Sequence, residues 1–139
     1  MNRDIKFRGK IEGEQIWAHG YYSIYTCPEY EDTTHEIHVK GGDIVDVDGS
    51  TVGQYIGLND MNGVEIYEGD VCKVKEAGNE YDPGTVHEVR YWDGDDYPAF
   101  DFSPNYDDDA NGIQSAIFGA SVEIIGNIHD NPDLAGGGK

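Results

Sequence analysis

Short runs of alternating apolar and polar residues, broken at roughly 8–12-residue intervals by Gly, Asn or Pro, constrain this chain more than any other feature. Asp4-Ile5-Lys6-Phe7-Arg8 alternates strictly, with Ile5 and Phe7 on one face and charge on the other. Gln15–Tyr25 places Ile16, Ala18, Gly20, Tyr22 and Ile24 on one face and Trp17, His19, Tyr21, Ser23 and Tyr25 on the opposite one. Further runs fall at His35–Lys40, Asp43–Asp48, Val52–Ile56, Asp70–Lys75, Val86–Trp92 and Val122–Ile128. Long helical periodicity is missing throughout; Ile113–Ala120 has room for one or two helical turns. The predicted fold is therefore mainly β: a small barrel-like or sandwich domain of short antiparallel strands, with long loops and at most short helices. A single domain over 1–134 is expected, followed by a flexible tail at 135–139. Asp48-Gly49 reads as a tight turn joining two strands into a hairpin, and Asn62-Gly63 as the clearest turn of a turn-dense segment.

Charge narrows the function classes. The chain has 139 residues and a formal net charge of −19, from 28 acidic and nine basic side chains. Arg3, Lys6, Arg8 and Lys10 against Asp4 give the first ten residues a local +3, leaving −22 on the rest. Direct binding to nucleic acid or an anionic membrane is disfavoured, because such affinity rests on Lys and Arg meeting phosphates. No apolar stretch approaches the ~20 residues that span a bilayer, and no secretory signal pattern opens the chain. The expected location is the cytoplasm of a bacterial host cell, with Cys27 and Cys72 reduced.

Three stretches, taken in order, carry a family resemblance. The first is Arg3-Asp4-Ile5-Lys6-Phe7-Arg8-Gly9-Lys10 with the following Trp17 and Gly20-Tyr21. The second runs from Thr51-Val52-Gly53-Gln54-Tyr55-Ile56-Gly57-Leu58-Asn59-Asp60 through Asn62-Gly63 to Gly69-Asp70-Val71. The third is Val122-Glu123-Ile124-Ile125-Gly126-Asn127-Ile128-His129-Asp130-Asn131-Pro132-Asp133-Leu134. Together they resemble the YopX family of phage and prophage proteins. The resemblance implies a small β-rich accessory protein encoded by a phage or prophage, and supplies no catalytic residue set. Within the middle stretch, glycines suit chain reversal, and Glu65, Glu68 and Asp70 suit capping of loop N–H groups. A scaffold role is the first reading of this stretch and a ligand-binding loop the second.

Signatures of known catalysis are missing: no phosphate loop, G-x-S-x-G, H-E-x-x-H or C-x-x-C, so no catalytic residue is assigned. Asp107, Asp109 and Asn111 followed by Gly112 match the first half of a calcium loop, but the twelfth position holds Phe118 where a bidentate Glu is needed. A solvated acidic turn is the default there, and no cofactor is expected. His35 and His38 point to opposite faces of a strand, while Glu36 and His38 share one. Asp82, Glu88 and Arg90 only faintly match an acidic pair with a cation. Cys72 falls on the inward side of a strand and Cys27 has no evident His partner.

Two interaction readings remain. Trp17, His19, Tyr21 and Tyr25 form a candidate partner surface, aromatics being favoured at binding hot spots; burial on both faces of a central strand gives the same pattern and is preferred. Glu29, Glu31 and Asp32, then Asp93, Asp95 and Asp96, then Asp107, Asp108 and Asp109 are candidate decoy charges. Brought onto one face, they would imitate phosphates spaced about 1.7 Å per charge along duplex DNA. The leading functional expectation is a non-enzymatic protein acting on an unidentified host or phage protein or through its own assembly. Inhibition of a basic DNA-binding protein comes second, and metal-dependent catalysis third.

Overall fold

The computed structural model describes residues 6–29, 32–76, 78–93, 98–103 and 112–135. They form a mainly β protein of two antiparallel sheets with two short helices, and the backbone divides into two compact units, Met1–Gly57 and Leu58–Lys139.

In the first unit, β1 (Phe7–Lys10), β2 (Trp17–Cys27), β3 (Asp32–Val39) and β4 (Ile44–Val47) follow one another in the chain, and β5 (Gly53–Asn59) begins there and runs past its end. They are ordered β4-β3-β2-β1-β5 across the sheet, with β6 (Glu65–Tyr67) continuing the order after β5. The β1–β2 register sets Phe7 opposite Gly20 and Lys10 opposite Trp17. The β2–β3 register runs from Gly20 opposite Val39 to Cys27 opposite Asp32. Since paired residues share a face, Phe7, Ala18, Tyr22, Ile37, Val39, Val45 and Val47 all lie on one side. Ala18, Ile37 and Val47 are buried there, and the rest of that set, with Ile11 and Val52, packs around them.

The sheet curls without closing into a barrel. A lone bridge joins Ile11 to Val47, supported by Glu12 N–H donating to Asp46 O and Asp48 N–H to Lys10 O. Two glycines permit the curl. A Cβ on Gly9 would press into the Val47 side chain at 2.9 Å, and one on Gly20 would collide with the carbonyl oxygen of His38.

The hairpin expected at Asp48-Gly49 does not form: β5 pairs with β1, not with β4. Side-chain chemistry explains the difference. Asp48 caps a 3-10 turn at Gly49–Thr51, its carboxylate accepting from Ser50 N–H at 3.0 Å and Ser50 Oγ at 2.8 Å. The Thr51 hydroxyl donates to Asp48 O at 2.6 Å and accepts from Lys10 N–H at 2.9 Å. That pair of bonds steers the chain back to β1.

In the second unit, β7 (Asp70–Glu76), β8 (Thr85–Asp93), β9 (Pro98–Ser103) and β10 (Ala120–Asn127) form a sheet ordered β10-β7-β8-β9. The register of β10 on β7 shifts between Ile124 and Gly126, a bulge that re-aims the strand end. Helix α1 (Gly112–Gly119) packs on β9 and β10, burying Ile113 and Ala116 at helical i, i+3 spacing. A one-turn helix α2 (Pro132–Ala135) follows β10. Residues 136–139 lie outside the described residues. Val71, Cys72, Val74, Val89, Phe102 and Val122 are each buried, no more than 2 % exposed.

Candidate functional site

The outer face of the first sheet exposes several large side chains. The preference for burial of β2 on both faces is overturned: Tyr21 is 71 % and Tyr25 58 % exposed, although β2 is a central strand. The sheet's curl provides only one interior, and Ala18 and Tyr22 occupy it. His19 is also exposed, whereas Trp17 is half-buried and already engaged. The Arg8 guanidinium lies 4.5 Å from its ring centroid and Lys10 Nζ 5.8 Å, a cation–π arrangement. Lys10 also donates to Gln15 Oε1 at 2.8 Å. The basic N-terminal strand is thus built into the sheet through aromatic rings.

Beyond Trp17, the register sets Tyr21 opposite His38 and Ser23 opposite Glu36, with Tyr25 opposite Thr34. On β4, Ile44 faces His38 and Asp46 faces Glu36. Ile44 is 54 % exposed. His38 is held by Ser23, Nε2 to Oγ at 2.8 Å. His35 points the other way, its Nδ1 2.6 Å from the Tyr22 hydroxyl and the two rings stacked at 5.9 Å. Partial burial raises the Tyr22 pKa. The two histidines lie on opposite faces, as strand geometry demands. Ile44, His38, Glu36 and Asp46 were not legible as members of this surface, because a single sequence does not reveal cross-strand register.

Asp107, Asp108, Asp109 and Asn111 lie outside the described residues, as do Glu31, Asp95 and Asp96. Glu29 and Asp32 are exposed near the β2–β3 turn, and Asp93 ends β8. Asp82 is committed to its own loop, accepting from Glu76 N–H and, at 2.9 Å, from Gly84 N–H. Those bonds hold its carboxyl below the usual range. Glu88 pairs with Arg90 on its own strand at 3.0 Å. Among the described residues, no three His, Cys, Asp or Glu side chains converge as metal ligands. Cys27 and Cys72 are free thiols. Burial pushes the Cys72 thiol far up, and the Asp70 and Asp60 carboxylates add to the shift.

The middle stretch reads as scaffold. Asp60, 8 % exposed, accepts from Asn62 N–H and Val64 N–H through Oδ1, both at 2.9 Å, and from Ile124 N–H through Oδ2 at 3.0 Å. Asp70 Oδ2 accepts from Tyr67 N–H at 2.8 Å. Gly63 and Gly69 take φ values of 81° and 94°, which only glycine adopts cheaply. The closing stretch is locked similarly: Asn127 Oδ1 accepts from His129 and Asp130 N–H, and Asn131 Oδ1 from Asn127 N–H.

The sequence profile of the YopX protein family matches residues 4–135. The chain belongs to the YopX family. Its fold is similar to the crystal structure of protein EF1440 from Enterococcus faecalis, with a TM-score of 0.59 and 25 % sequence identity over 96 % of this chain and 99 % of that one. A search of curated proteins finds no match. In this YopX-family chain, Asp60, Asp70, Asn127 and Asn131 cap turns and tie strands together, while Tyr21 and Tyr25 lie exposed on the first sheet. No helix among the described residues is long and apolar enough to cross a membrane.

Proposed function

We propose that this YopX-family chain is a phage- or prophage-encoded accessory protein of the bacterial cytoplasm, acting by binding another protein through the outer face of its first sheet. The observation that carries this reading is the exposure of Tyr21 and Tyr25 on a central strand, beside the exposed Ile44. Tyrosines supply large contact area at little entropic cost and are enriched at binding hot spots. Family membership supports the accessory role, and the capping duties of Asp60 and Asp70 support reading the signature as scaffold.

The test compares the tagged full-length chain with a Tyr21→Ala/Tyr25→Ala variant in affinity capture from host lysate, alongside sedimentation over a range of concentrations. Both side chains are exposed, so the variant should unfold like the parent. A protein enriched by the parent and lost from the variant supports the reading. A concentration-dependent increase in mass that the variant abolishes makes the partner a second copy. Identical capture and identical mass for the two chains refute a role for this face.

A further inference from the structure

The outer face of the first sheet carries an arrangement that its own fold does not favour. Glu36 on β3 and Asp46 on β4 stand directly opposite each other. Like charges in that relation destabilise a sheet. Neither carboxylate has a hydrogen-bond or ion-pair partner among the described residues. Along β2, Tyr21 and Tyr25 fall in the rows on either side of this pair, with only Ser23 between them. The surface thus offers two exposed rings flanking two exposed or half-buried carboxylates.

We infer that the occupant of this face is a protein segment bearing arginine or lysine, seated between Tyr21 and Tyr25 over the Glu36–Asp46 pair. This rests on the interaction role proposed above and adds the chemistry of the partner. A cation on the partner relieves the repulsion between the two carboxylates and meets the tyrosine ring faces, whose quadrupole attracts positive charge. Arginine suits both tasks better than lysine, since its planar guanidinium stacks on rings and takes carboxylates bidentately. The formal −19 of the whole chain accelerates encounter with a basic partner. The same charge opposes nucleic acid at this face, and opposes a second copy of the chain.

The experiment is fluorescence anisotropy with a labelled oligo-arginine peptide and an oligo-lysine peptide of equal length, titrated with the full chain at several salt concentrations. Three variants are compared: Tyr21→Ala/Tyr25→Ala, Glu36→Gln/Asp46→Asn, and Glu80→Gln/Asp133→Asn, which removes the same charge from exposed sites elsewhere. The parent should bind the arginine peptide more tightly than the lysine peptide. Each face variant should weaken arginine binding by about tenfold, the scale of one to two kcal/mol expected for two exposed cation–π contacts or a pair of charge contacts. The distant pair should change it by less than about twofold. Equal weakening by the distant and face pairs would show unspecific attraction to an acidic protein and overturn the inference, as would unchanged binding by the tyrosine variant. Should host capture depend on the tyrosines while the arginine peptide ignores them, the interaction role stands and the basic-partner inference falls. If neither depends on them, both fall.

Discussion

Asp60 offers a sharp test of how the YopX signature stabilises this chain. One oxygen caps the Asn62-Gly63 turn through two N–H groups, and the other takes the amide of Ile124, 64 positions along the chain. Asp60→Ala removes all three acceptor contacts. Hydrogen bonds to a charged group contribute about 1.5–3 kcal/mol each. Asn62 and Val64 are exposed, so water can replace the carboxylate there, whereas Ile124 is half-buried in β10. The expected loss is therefore about 2–4 kcal/mol, well below three times the single-bond figure. Asp60→Asn is more discriminating. Its remaining oxygen can keep the turn, but its NH2 would then face the Ile124 N–H, donor to donor, at a cost of about 1.5–3 kcal/mol. Urea unfolding monitored by circular dichroism measures both variants, with Asp133→Asn correcting for the lost charge. Hydrogen exchange then locates the effect: Asp60→Asn should lower protection at Ile124 while sparing Val64. Native-like stability of Asp60→Asn with unchanged Ile124 protection would refute the assignment of Asp60 as the tie between turn and strand.

Gly20→Ala should destabilise by about 1–3 kcal/mol or more, because the new methyl meets a backbone carbonyl that has no rotamer to escape into; a chemical denaturation midpoint equal to that of the parent would contradict this. Thiol labelling should modify Cys27 quickly and Cys72 only on unfolding, since Cys72 is wholly buried and its thiol is held protonated. Asp82, whose folded pKa is depressed, contributes stability that is present above the ordinary carboxylate value of about 4 and is lost as pH falls below it through the folded value. An Asp82→Asn variant should accordingly show a shallower loss of stability on acidification, read from thermal melts across that range.

The amino-acid sequence by itself determined which residues alternate and where the chain turns. Period-two patterning is local, so Trp17–Cys27, Asp70–Glu76 and Ala120–Asn127 emerge as strands close to where alternation placed them. The opposite orientations of His35 and His38 follow from the same geometry. Gly63 marks the 60–64 turn because few other residues adopt its positive φ. Register and strand partnership are non-local, and there the tertiary structure decided. Asp48-Gly49 looked like a hairpin until Asp48 and Thr51 used their side chains to return the chain to β1. The aromatic face of β2 was equally compatible with burial or exposure, because alternation says that two faces differ in direction but not which one meets a neighbour. One curled sheet with one interior left Tyr21 and Tyr25 outside, and the pairing of β3 with β4 set Glu36 against Asp46 beside them. A surface assembled from three strands exists only once those strands are paired, so no single stretch of sequence could carry its signal.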